Sequence, residues 1–107
     1  MHIQPNDEII VQGYTCVVVP NAIELSGAHV IYADIDPDTL NMNTTTVEPL
    51  ITPKTRAIIY QHTFGITDSL PKLRALCDAH DIWLIEDCAH LLPDDPHTMD
   101  VGKYGDA

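Results

Sequence analysis

This sequence predicts an α/β fold built on a mostly parallel sheet, and three observations carry the prediction. Short apolar runs that read as strands alternate with stretches of helical periodicity. The runs are apolar at consecutive positions, as strands buried on both faces are, which favours a parallel sheet covered by helices. Apolar residues make up 45% of the chain and charged residues 20%, the balance of a globular protein. At 107 residues the chain makes one domain at most, with little stability to spare.

The elements follow in order. Glu8–Gln12 (EIIVQ) reads as a short buried strand. Residues 14–27 read as a helix, with Thr15 as N-cap and Gly27 as its stop. Pro20 lies inside that stretch and predicts a kink or a late start. Residues 29–34 (HVIYAD) form a second strand, and Asp36-Pro37-Asp38 makes a turn. A short helix spans 44–51 and is closed by Thr52-Pro53; a third strand covers 56–61 (RAIIYQ). Residues 68–80 form a helix, with Leu70, Leu73, Leu76 and Cys77 at helical spacing. The fourth strand, 82–85 (IWLI), ends in Glu86-Asp87, and residues 91–97 read as a loop. The chain opens almost directly on a strand and closes on Gly105-Asp106-Ala107, so both ends read as cuts through a larger fold.

The charge balance excludes some partners. Sixteen acids against five bases give a formal net charge of -11. Nucleic acid and anionic membrane surfaces need clustered Lys and Arg, so neither is expected as a partner. No apolar run approaches the roughly 18 residues of a membrane span. The N-terminus has no basic start followed by an apolar stretch, so it does not read as a signal peptide. Cys16, Cys77 and Cys88 have neither zinc-site nor CxxC spacing; reduced thiols in a cytoplasmic protein account for them.

In parallel α/β sheets, ligands bind beyond the carboxyl ends of the strands. The candidates there are Asp34 and Asp36 after the second strand, His62 after the third, and Glu86, Asp87 and His90 after the fourth. A lone histidine in such a place is more often a satisfied structural group than a catalyst, and Asp36 reads as a turn cap. The Glu86-Asp87 pair says more. It directly follows an apolar run, so at least one carboxylate is desolvated and needs a cation or a donor as partner. A protonated pyridine nitrogen, Mg²⁺ or an internal arginine would serve. No glycine-rich phosphate loop and no serine-nucleophile elbow is present. Lys54, Lys72 and Lys103 all read as solvated.

The ordered text resembles the DegT/StrS-type (DegT/DnrJ/EryC/StrS) sugar aminotransferases, pyridoxal-phosphate (PLP) enzymes of the aspartate-aminotransferase fold. The segments that carry the resemblance run from Asn6 to His90 and return over 101–107. They include Asp7-Glu8-Ile9-Ile10-Val11, Gly13-Tyr14-Thr15, Asp34-Ile35-Asp36-Pro37-Asp38-Thr39 and Ile51-Thr52-Pro53-Lys54-Thr55-Arg56-Ala57-Ile58-Ile59. His62 and Gly65 resemble the family's H-x-x-G, and Glu86-Asp87-Cys88-Ala89-His90 resembles its E-D-A-A-[QH].

The resemblance implies that residues 1–107 are part of the large, PLP-binding domain of a fold type I transferase. It implies that Asp87 pairs with the pyridinium nitrogen and that His90 contacts the ring's phenolic oxygen. Cys16 stands where the family usually has an aromatic residue stacked on the ring. By the family pattern, the phosphate-gripping loop would lie upstream of Asn6. The Schiff-base lysine would follow Ala107 by roughly ten residues, and a smaller C-terminal domain would come after it. On that reading the parent transfers an amino group, from a donor such as glutamate, to a nucleotide-linked keto-sugar in amino-sugar and cell-surface polysaccharide biosynthesis. The parent would work as a homodimer, and this chain would be inactive alone. The residues leave two other readings open. One is a small Mg²⁺-binding phosphoryl-transfer or receiver-like domain using Asp34, Asp36 and Asp87. The other is a non-catalytic interaction module.

Overall fold

The computed structural model describes residues 2–91 and 102–107. The loop expected over 91–97 therefore lies, apart from Leu91, outside the described residues. Four strands form one sheet: β1 (Glu8–Gln12), β2 (His29–Ala33), β3 (Thr55–Gln61) and β4 (Trp83–Asp87). All neighbours are parallel, and the order is β2-β1-β3-β4.

That order explains where the helices lie. From β1 the chain steps outward to β2, then turns back past β1 to β3 and continues to β4. A right-handed crossover puts its helix on one face for a step in one direction and on the other face for the reverse step. So α1 (Val18–Leu25) lies on one face, where Ile23 packs with Ile9, Val11 and Ala57. The helices α2 (Thr44–Val47) and α3 (Leu70–His80) lie on the other. There Val47, Leu70, Leu73 and Cys77 pack with Ile10, Ile58, Tyr60 and Leu84 in the larger core.

Three local features depart from the sequence expectation. Helix α1 begins at Val18 rather than near residue 14, and Val17, not Thr15, precedes it. The late start places Pro20 in the first turn, where no intrahelical N–H bond is required. Thr15 is thereby released from capping, and its hydroxyl donates to Gln61 Oε1 at 2.6 Å. The stretch expected as one short helix over 44–51 is a four-residue α-turn followed by a 3-10 turn, Glu48–Leu50. Pro49 lacks the N–H that a continuous helix would use there. Strand β4 runs on through Glu86 and Asp87, so the two acids sit within the ladder.

The α1 face is only partly covered. Ile59 and Ile85 are half-buried and Trp83 is exposed. An open apolar groove of about 480 Å³ runs there between α1 and β3, with Asp87 at its border. Among the described residues, no helix is long and apolar enough to cross a membrane.

Candidate functional site

The strand order reverses between β1 and β3, and at such a switch point the two departing connections leave a crevice at the carboxyl edge. The described structure has a cleft of about 240 Å³ there. The segment after β1 supplies Tyr14, Thr15 and Cys16; the end of β3 supplies Gln61, Thr63 and Phe64; His90 closes the far side.

Polar side chains fix the cleft floor. Gln12 and Gln61, the last residues of β1 and β3, are both buried. Gln12 Nε2 donates to Thr63 Oγ1 at 2.6 Å and to the Tyr14 carbonyl at 3.1 Å. Gln61 Nε2 donates to the same hydroxyl at 3.4 Å. Asn41 ties the floor to the outer loops: its Oδ1 accepts from Thr63 N–H, and its Nδ2 donates to the Ile66 carbonyl. Sequence reasoning missed these residues. Their signal is that two apolar runs, EIIVQ and RAIIYQ, each end in glutamine, a residue rarely left buried without partners.

The rim is aromatic. Phe64 stacks on the His90 ring at 6.0 Å between centroids, and Tyr14 meets Phe64 edge-on at 6.3 Å. Phe64 holds φ at 52°, a left-handed value costly for a bulky side chain. Such strain persists where surrounding structure enforces it, and it clusters at functional sites.

The two acids of β4 have separate environments. Glu86 points to the α3 face, and its side chain is 1% exposed. Its carboxylate accepts from the backbone N–H groups of Gly102, Tyr104 and Gly105 at 2.8, 2.8 and 2.6 Å. His62, fully buried, is bonded to it through Nε2 at 3.0 Å. Burial alone would raise the Glu86 pKa; the three N–H groups and His62 outweigh that and hold it below the usual carboxylate range. Glu86 is thus the desolvated acid expected from sequence, and donors from the chain itself pair it. Asp87 points to the other face, is half-buried and borders the apolar groove, and its Oδ1 accepts from Ala89 N–H at 3.0 Å. Its register partner on β3 is Gln61, which lines the switch-point cleft. Cys16 and His90 line that same cleft.

The remaining candidates fall elsewhere. Asp36 is a turn cap: its Oδ1 accepts from Asp38 N–H at 2.8 Å, and its carbonyl accepts from Leu40 N–H. The Mg²⁺ reading that joined Asp34, Asp36 and Asp87 is not supported by the topology. Asp34 and Asp36 follow β2 and Asp87 ends β4, at opposite edges of the sheet. Three strand spacings come to roughly 14 Å. Oxygen ligands about 2 Å from one Mg²⁺ cannot be that far apart.

The DegT/DnrJ/EryC1/StrS aminotransferase family matches residues 1–107. The chain belongs to this family. Among curated DegT/DnrJ/EryC1/StrS relatives, it is 34% identical over 106 residues to the UDP-N-acetyl-3-dehydro-alpha-D-glucosamine 3-aminotransferase of Acidithiobacillus ferrooxidans. It is 36% identical over 104 residues to the GDP-perosamine synthase of Vibrio cholerae. These alignments cover 99% and 97% of this chain but 29% and 28% of those relatives. Among solved structures, NtdA of Bacillus subtilis with bound cofactor PMP superposes with a TM-score of 0.85 at 30% identity, covering 97% of this chain and 23% of that one. The architecture is that of the fold type I PLP-dependent aminotransferases.

The residues present fit a pyridine cofactor in one respect that the structure itself supplies. A carboxylate stands at the border of an apolar groove, as a flat cationic ring requires. Among the described residues, no lysine lines the groove or the cleft. Lys54 precedes β3 at the amino edge, and Lys72 is exposed on α3.

Proposed function

We propose that this chain supplies the ring-binding edge of a PLP-dependent aminotransferase acting on nucleotide-linked keto-sugars. The observation that carries the proposal is the position of Asp87, at the carboxyl edge of a parallel sheet and bordering an apolar groove beside the switch-point cleft. Family membership and the names of the two curated relatives support the substrate class. Residues 1–107 are then part of the large domain, with glutamate as amino donor, a homodimeric whole protein and a cytoplasmic location.

When bound, the protonated pyridine ring serves as an electron sink for the amino carbon. Asp87 would keep the ring nitrogen protonated. His90, stacked on Phe64, would meet the phenolic oxygen, and Cys16 would lie against the ring where an aromatic residue is usual. A single ion pair at a partly solvated position contributes on the order of 1 kcal/mol. Micromolar binding requires about 8 kcal/mol. Held by that ion pair alone, the cofactor should bind these 107 residues weakly.

Pyridoxamine 5'-phosphate tests this without aldehyde reaction at surface lysines. Titrated into isotope-labelled chain, it should shift the NMR signals of Asp87, Ala89, His90 and Cys16, with saturation well above the micromolar range. Asp87→Ala should abolish those shifts. Shifts confined to other segments, or unchanged in Asp87→Ala, would remove Asp87 from the site.

A further inference from the structure

We propose that Glu86 is the positioning residue of this site, a clamp that binds the 102–105 backbone and His62 and so fixes how Asp87 presents its carboxylate. The proposal rests on the reading of Asp87 given above.

Four donors converge on the Glu86 carboxylate from two directions. Tyr104 and Gly105 donate to Oε1, Gly102 donates to Oε2, and His62 shares Oε2 from the β3 side. One buried side chain thus ties the end of β4 to its neighbour strand and to the segment on its outer edge. An independent observation shows the fit from the other side. A Cβ added at Gly105 would stand 2.7 Å from the Ala107 carbonyl oxygen, and 3.2 Å from Glu86 Cγ and 3.3 Å from Oε1, so glycine fits this turn both against its own backbone and where the carboxylate approaches.

The connection to Asp87 is covalent and short. Adjacent strand residues face opposite sides, so a rotation of the backbone at residue 86 turns the side chain of 87 on the cofactor face. Holding Glu86 at four points removes that freedom. The rest of the segment has its own anchors: Tyr104 packs on the larger core, and Arg74 holds Asp106 at 2.8 Å. Loss of the clamp should therefore loosen the turn and residue 87 while the domain stays folded. The bonding also assigns the histidine. An ionised Glu86 accepts, so His62 carries its proton on Nε2, and its Nδ1 is buried without a partner among the described residues. The titratable and charged groups around the clamp are Tyr60 in β3 and His62 just after it, Asp87 on its own strand and Cys88 just beyond it, and Lys103 and Tyr104 in the turn.

The test is NMR on the labelled chain in three variants. Glu86→Gln places an NH₂ group against donors. The His62 proton should move from Nε2 to Nδ1, seen in the ring ¹⁵N shifts, and amide exchange at Gly102 should quicken roughly tenfold or more. The Ala89 amide, which reports the orientation of Asp87, should shift. Gly105→Ala, whose Cβ crowds both the Ala107 carbonyl and Glu86, should displace the turn and shift Ala89 with the charge unchanged. Should Glu86→Gln fail to fold, Asp87→Asn serves, because residue 87 no longer titrates there. On acidification, the amides of Ala89, Gly102, Tyr104 and Gly105 should then move together, with one midpoint below the usual carboxylate range. An Ala89 signal that ignores Glu86→Gln and Gly105→Ala, or that moves apart from the other three amides in the titration, overturns the proposal. The pyridoxamine phosphate titration separates the two readings. If Asp87→Ala leaves it unchanged while Ala89 follows Glu86, the cofactor reading falls and the clamp stands.

Discussion

Glu86 and Asp87 are neighbours in β4 and face opposite sides of the sheet: one is sealed against His62 and the 102–105 backbone, the other opens on the apolar groove. The pleat gives two carboxylates different surroundings. The buried acid is satisfied by the chain's own donors, so it has no capacity left for a cationic ligand. The half-buried acid keeps its exposure to the groove, and the functional reading depends on it.

Glu86 should set the acid limit of stability. A carboxylate whose folded pKa lies below its unfolded one contributes stability that is fully present above the unfolded value and is lost as pH falls through the folded value. Burial of Glu86 opposes that depression, and the N–H groups of Gly102, Gly105 and Tyr104 with His62 outweigh it. Asp106, held down by Leu84 N–H and Arg74, acts in the same direction but more weakly because it is exposed. Circular dichroism against pH should show no loss of stability from neutral pH down to the ordinary carboxylate range, and a loss below it. Glu86→Gln should remove most of that acid-side slope.

The three thiols should react in a fixed order. Cys16 is exposed in the cleft, Cys88 is half-buried with its pKa raised by burial, and Cys77 lies in the core, where burial pushes its thiol up to about 11. A thiol reagent at neutral pH should modify Cys16 first and Cys77 only on unfolding. Saturating pyridoxamine 5'-phosphate should slow the first phase. An unchanged rate at Cys16 would place the ligand outside the cleft.

The cleft floor should be sensitive to one hydroxyl. Thr63→Val keeps the shape but removes the acceptor shared by Gln12 and Gln61. Leaving buried amide N–H groups short of an acceptor costs about 1–3 kcal/mol. Urea unfolding should register that loss, and the Thr15 and Cys16 signals should broaden or shift, since Thr15 is held through Gln61.

The core has little margin. Leu73 is fully buried between α3 and the sheet. Leu73→Ala should cost about 2–5 kcal/mol, a large share of the stability of so small a domain. Chemical denaturation should show a lower midpoint, or a chain already unfolded in buffer.

Much of the fold was legible in the sequence because apolar runs and helical spacing are local signals. Glu8–Gln12 was read with its observed bounds, and the other three strands within a residue or two. The start of α1 was misplaced because Thr15 looks like a cap. Its use as a donor to Gln61, 46 positions away, depends on β1 and β3 being neighbours. The carboxyl-edge rule and the family resemblance pointed to Asp87, His90 and Cys16. The glutamine and threonine floor went unseen because a polar residue at a strand end has no fixed meaning until its partners are known.

By itself, then, the sequence determined the element types, the parallel sheet and which residues end each strand, since these follow from side-chain volume, apolar periodicity and turn chemistry along a short stretch of chain. Only the tertiary structure decided the strand order, and with it the split of Asp34 and Asp36 from Asp87, the crevice between β1 and β3, and the different surroundings of Glu86 and Asp87. The physical reason is that crossover direction and face are set when the whole sheet packs. A carboxylate's role then depends on whether the packed chain delivers donors to it or leaves it facing a groove.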